Sequence, residues 1–127
     1  IAGEEAAEIY GLSLISRNIE DNPDNTTRFL IIGNLKVPSS GDDKTSLLVS
    51  AHNRPGSLYQ LLSPFSDNKV SLTRIESRPS RCVNWEYVFF LDLAGHADDA
   101  NIQAALLTLE QDAQMVRRLG SYPRAVI

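Results

Sequence analysis

From Thr45 to Tyr122 the apolar residues change their spacing four times, and each change marks a switch between strand and helix. Thr45 to Ala51 is rich in β-formers with Leu47, Leu48 and Val49 in a row, which predicts a buried strand. Leu58, Leu61, Leu62 and Phe65 then fall at i, i+3, i+4 and i+7, one face of a helix. Pro64 sits inside that pattern and is expected to kink or shorten the helix. Val70 and Leu72 alternate with polar residues while Ile75 is out of phase, so a bulge near Thr73–Arg74 is expected. Trp85, Tyr87, Phe89, Leu91 and Leu93 alternate as a strand, and Val88 and Phe90 make its other face apolar too. Asp98-Asp99 opens a second helix carrying Ile102, Ala105, Leu106 and Leu109. Met115 to Tyr122 reads as a last strand, stopped by Pro123. The order β-α-β-β-α-β predicts an α+β, ferredoxin-like fold: a four-stranded antiparallel sheet with two helices on one face.

Residues 34–44 are polar and turn-rich, with the composition of a linker. Before them, Ala6, Ala7, Ile9 and Tyr10 indicate a helix closed by Gly11. Short strands are expected over Leu12–Ile15 and Phe29–Ile32. About 33 residues cannot form a core of their own. Together with the first residue, Ile1 rather than Met, this reads as the end of a larger α/β domain.

Composition narrows the function classes. With 43% hydrophobic and 22% charged residues the chain is globular. Its net charge of −4 argues against nucleic acid, whose phosphates need a concentrated basic surface. No apolar run is long enough to span a membrane and no export leader is visible, so a cytoplasmic protein is expected. One cysteine, Cys82, excludes an internal disulfide, and His52 and His96 lie far apart, so neither a metal nor a cofactor is expected. Trp85 is expected to pack, Cys82 to be an ordinary thiol and His96 to be a solvated loop residue.

Two segments carry chemistry. Asn53-Arg54-Pro55-Gly56-Ser57-Leu58-Tyr59 ends a strand, turns on Pro-Gly and opens a helix. Such a helix start offers free N–H groups to a carboxylate, here from Gly56, Ser57 and Leu58. The glycine leaves space for a close approach, and His52 and Asn53 adjoin it. Read blandly, the same residues are an ordinary strand-to-helix connection. Ile75-Glu76-Ser77-Arg78-Pro79 ends another strand; blandly, Glu76 and Arg78 are a loose surface pair.

Taken jointly, the two segments resemble the ligand-binding halves of an ACT domain, and in particular the phenylalanine-sensing ACT domain of the prephenate dehydratase family. That resemblance implies effector contacts from His52, Asn53, Pro55, Gly56, Ser57 and Leu58, and from Arg74, Ile75, Glu76, Ser77, Arg78 and Pro79. In the resembled family the second segment approaches the Pro-Gly loop of a neighbouring copy, so a homodimer or higher homo-oligomer enclosing L-phenylalanine is implied. The family's loop usually has Ala where this chain has Ser57. Asp21-Asn22-Pro23-Asp24-Asn25 with Thr26-Thr27-Arg28-Phe29 resembles the last catalytic motif of the same family. By that match Thr27 is the catalytic threonine, with Arg28 and Phe29 beside it. The implied organisation is residues 1–33 as the end of the catalytic domain, 34–44 as linker and 45–127 as regulatory domain. Tyrosine or tryptophan as effector, arogenate as substrate and a preceding chorismate mutase domain stay open. Rival readings are a ferredoxin-like module that only dimerises and a ferredoxin-like RNA binder, the latter disfavoured by charge.

Overall fold

The computed structural model describes residues 1–22, 27–80 and 87–125. Two compact units make up the chain, residues 1–33 and 34–127.

In the first unit, helix α1 spans Glu4–Tyr10 and stops at Gly11, which turns left-handed at φ 62° and donates its N–H to Ala7 O. Glu4 and Glu5 lie at the positive end of this helix. Arg17 Nη1 donates to both carboxylate oxygens of Glu4 at 3.0–3.1 Å. The expected strands over Leu12–Ile15 and Phe29–Ile32 do not form. A strand needs a partner for its N–H and C=O groups, and among the described residues this unit offers none. Phe29, Ile31 and Ile32 are therefore exposed rather than packed.

The second unit contains β1 (Asp43–Ser50), α2 (Ser57–Asp67), β2 (Leu72–Pro79), β3 (Tyr87–Ala94), α3 (Ala100–Asp112) and β4 (Met115–Pro123). The strands pair antiparallel in the order β2-β3-β1-β4, as the ferredoxin-like reading requires. Leu47 and Val49 of β1 stand opposite Leu91 and Phe89 of β3, and residues directly opposite share a face. Against that face pack Leu61 and Phe65 of α2 and Ile102, Ala105, Leu106 and Leu109 of α3. Phe65 is fully enclosed and contributes about 1.5–3 kcal/mol by leaving water.

Pro64 does not shorten α2, which continues to Asp67 with the proline buried. It lies in the last turn, where only one helical hydrogen bond is lost. The carbonyl it deprives, Gln60 O, accepts the Ser63 hydroxyl at 3.3 Å. Asn68 closes the helix, its side-chain amide donating to Pro64 O at 2.8 Å. The anticipated bulge in β2 falls between Leu72 and Arg74. Strand β3 begins at Tyr87; Trp85 and Cys82 lie outside the described residues.

His96 is not solvated. It is buried, with Nε2 3.0 Å from Val37 O and Nδ1 accepting the Asp98 N–H at 3.2 Å. This pins part of the expected linker onto the turn before α3. The acids of that turn act differently from simple helix caps: Asp99 stands at the N-cap but accepts the His96 N–H at 2.8 Å.

Candidate functional site

Strand β1 ends at Ser50, and the chain must reverse within six residues to start α2. It does so in two tight steps, Arg54 N–H donating to His52 O at 2.8 Å and Ser57 N–H to Arg54 O at 3.2 Å. Gly56 then takes φ 80° at the helix N-cap, a left-handed value that a side chain would strain. Its carbonyl accepts Gln60 N–H at 3.0 Å, the first bond of the helix. The Ser57 N–H, expected to be available, is thus committed to Arg54. Among the described residues, the N–H groups of Leu58 and Tyr59 have no partner, as expected for a helix start.

Beside this helix start lies a depression of about 130 Å³. Its polar wall is His52, Asn53, Arg54 and Ser57; its apolar wall is Leu58 with Tyr87 and Phe89 from β3. Arg54 turns its guanidinium toward the helix, donating to Gln60 Oε1 at 3.1 Å. One side thus suits a carboxylate and the other an aromatic ring. The Ser57 hydroxyl is buried and, among the described residues, has no hydrogen-bond partner.

Of the residues anticipated from the sequence, His52, Asn53, Ser57 and Leu58 line this depression, while Pro55 and Gly56 shape the turn above it. Arg54, Tyr87 and Phe89 were not anticipated as site residues. A signal for the two aromatics exists: their alternation places them on the face of Val49, at the end of β1 from which the loop departs.

The second segment runs along β2, an edge strand, and none of Ile75–Pro79 lines the depression within one chain. Ser77 and Pro79 stand opposite Phe89 and Tyr87, one strand outward from the aromatic wall. Arg74, Glu76 and Arg78 point to the helix-free face instead, opposite Asp92, Phe90 and Val88. There Arg78 Nε lies 2.7 Å from Glu76, Arg74 pairs with the other Glu76 oxygen, and the Arg78 guanidinium covers the Phe90 ring at 5.8 Å. The Arg78 bond, with that of Arg74, holds the Glu76 carboxyl below its ordinary range. Thr27, Arg28 and Phe29 belong to the first unit and are exposed. Among the described residues no three His, Cys, Asp or Glu gather as a metal site, and no helix is long and apolar enough to cross a membrane.

Residues 45–111, which contain both segments and the depression, match the ACT domain family. The chain belongs to the ACT domain family. Residues 1–37 match a second family, prephenate dehydratase. Around this ACT domain the whole chain is 54% identical, over 127 residues, to a bifunctional chorismate mutase/prephenate dehydratase from Pseudomonas aeruginosa, of which it covers 35%. The chain thus spans about a third of the length of the curated relatives it matches. Among solved structures, the prephenate dehydratase of Arthrobacter aurescens in complex with L-Phe superposes with a TM-score of 0.66 at 36% identity. That match covers 72% of this chain and 30% of the other. The prephenate dehydratase of Staphylococcus aureus gives a TM-score of 0.68 at 26% identity, covering 91% and 44% respectively.

Proposed function

We propose that this chain is the regulatory region of a prephenate dehydratase and that its ACT domain binds L-phenylalanine for feedback inhibition. The observation that carries the reading is the pairing of an open helix start and an aromatic wall across one depression, which suits the two ends of an aromatic amino acid. The complex of the Arthrobacter relative with L-Phe supports it. Residues 1–33 are the end of the catalytic domain, 34–44 its connection and 45–127 the sensor. In the parent enzyme, a cytoplasmic one, Thr27 serves the departing hydroxyl of prephenate as a hydrogen-bonding or proton-relay group. Arg28 holds a substrate carboxylate in its fork, and Phe29 completes the site. Prephenate loses water and carbon dioxide there to give phenylpyruvate.

One chain supplies half of the effector site. A carboxylate on a helix start contributes about 0.3–2 kcal/mol, and a buried phenyl ring about 1.5–3 kcal/mol. Sensing between micromolar and millimolar requires about 4–8 kcal/mol. The remainder comes from a second copy, whose Arg74–Pro79 edge closes over the loop of the first. Leu48, Val88 and Phe90, half-buried on the helix-free face, also suit association between copies. Phenylalanine binds one dimer arrangement better than another and so shifts the catalytic domains toward an inactive state.

A thermal-shift screen of the twenty amino acids, with sedimentation in parallel, tests this. L-Phenylalanine raises the melting temperature by mass action and favours the dimer. A chain that only dimerises would show no shift with any amino acid.

A further inference from the structure

Strand β2 carries an imbalance of charge. Arg74, Glu76 and Arg78 alternate along its helix-free face, two bases around one acid, while Ile75, Ser77 and Pro79 on the other face have no charge. Taken alone, this edge strand has a net charge of +1. Asp92 of the adjacent strand β3 stands opposite Arg74, with Oδ2 4.0 Å from the Arg74 guanidinium. It brings the group to two bases and two acids. The signs alternate through the set: Asp92, Arg74, Glu76, Arg78, with one Glu76 oxygen taken by each arginine. Lys44 and Arg117, also on this face, lie two and three strands away on β1 and β4.

For the sheet alone a carboxylate is an unfavourable choice at this position. Asp92 is only 3% exposed, and Leu48 and Phe90 occupy the next row of the same face. Withdrawing an acid from water is costly, and an apolar side chain of similar volume often serves stability as well or better. What the acid does that an apolar residue cannot is cancel the surplus charge of β2. The surplus matters where a second copy meets this edge. In a symmetric dimer the same patch faces itself, so an uncancelled +1 meets another +1. Neighbouring strands lie about 5 Å apart, inside the Debye length of about 10 Å at 0.1 M salt. Like charges so placed oppose association.

We infer that Asp92 is a positioning residue for the association edge: it holds Arg74 in register with Glu76 and brings β2 to zero net charge, so that two copies can close on each other. The inference rests on the association between copies proposed above and adds to it an electrostatic condition set by a residue remote from the effector loop.

The test is sedimentation of the whole chain with saturating L-phenylalanine, at about 0.02 M and about 1 M salt, where screening lengths differ several-fold. Asp92→Asn removes the charge and keeps an acceptor for Ser46. It should weaken the dimer about tenfold relative to wild type at low salt and match wild type at high salt. Glu76→Gln, which leaves the same +1 from β2 itself, gives the same salt-dependent loss and serves if Asp92→Asn does not fold. Ser46→Ala keeps the charge and removes the hydrogen bond, so it leaves the dimer unchanged at both salt concentrations. A loss in Asp92→Asn that is equal at low and high salt would overturn the inference by making Asp92 structural. An Asp92→Asn dimer as tight as wild type at low salt would overturn it as well, and both results leave the sensing role intact. A wild type that stays monomeric with L-phenylalanine would overturn the proposed association and this inference together.

Discussion

Ser46 Oγ donates to Asp92 Oδ1 at 2.6 Å, joining the two central strands β1 and β3 on the face that carries no helix. Both residues are buried. The Tyr122 hydroxyl lies 2.8 Å from Ser46 Oγ, and Arg74 lies 4.0 Å from Asp92 on the other side. A line of polar groups therefore crosses all four strands and ends at the Arg74–Glu76–Arg78 cluster on the β2 edge. Hydrogen bonds to a charged group contribute about 1.5–3 kcal/mol, so Ser46→Ala should destabilise the unit by that amount in urea unfolding. A change within error would mean that Asp92 is satisfied without Ser46.

Gly95 is the hinge between β3 and the turn before α3. It has φ +116°, and a Cβ there would lie 2.8 Å from both Asp99 Oδ2 and Ile102 Cδ1. Ile102 is core and the Asp99 carboxylate is engaged with His96, so neither neighbour yields freely. Gly95→Ala should cost at least about 1–3 kcal/mol from backbone strain alone, measured by thermal or urea unfolding. Wild-type stability in that variant would show that the turn can rearrange.

Asp43 ties the stability of the unit to acid pH through the bonds its carboxylate accepts. Burial pushes its pKa up, but the Ser40 hydroxyl and amide, the Ser39 hydroxyl and the Gly41 amide together outweigh burial and leave it below the ordinary 3.8. Those four bonds span 2.7–3.1 Å. A depressed carboxyl binds fewer protons folded than unfolded, so its stabilisation is complete above its ordinary pKa and is lost as pH falls through the lower folded value. Glu76, depressed by Arg78 and Arg74, adds to the same limb. Urea melts from neutral pH to about 2.5 should show stability falling below about 4, with a shallower fall in Asp43→Asn. Parallel pH profiles for the two proteins would contradict the assignment.

His96 fixes the segment that precedes β1. Its Nε2 holds Val37 O, so His96→Ala should release residues around Val37 without unfolding the sheet. Trypsin should then cut after Lys36 several-fold faster, as read by mass spectrometry of the limited digest. Unchanged cleavage would show that other contacts hold the segment.

The architecture was largely legible because periodicity reports which face is covered, and every helix position expected inside except Leu58 and Leu62 is fully buried. Leu58 falls on the inward stripe but at the helix end, where it borders the depression instead. Pro64 lets α2 run on to Asp67 because the loss of one bond in a last turn is small and Ser63 supplies a replacement donor. Phe29–Ile32 misled because apolar β-formers signal a strand only if a partner exists, and pairing is a property of the whole sheet. The burial of His96 depends on Val37, 59 residues away, and no local pattern records it. Within the candidate site, the loop was visible through Pro55-Gly56, whereas Arg54, Tyr87 and Phe89 joined it only through strand register.

The central claim is that the loop of one copy and the β2 edge of another enclose the effector together. Gly56→Val disables the loop by straining φ 80°, and Ser77→Arg blocks the exposed edge opposite Phe89. Each variant alone should fail to bind L-phenylalanine. In a symmetric dimer each mixed pair carries one undamaged site, so an equimolar mixture should recover about a quarter of the wild-type sites in isothermal titration. A mixture that binds no better than either variant, although sedimentation shows mixed dimers, would contradict the account.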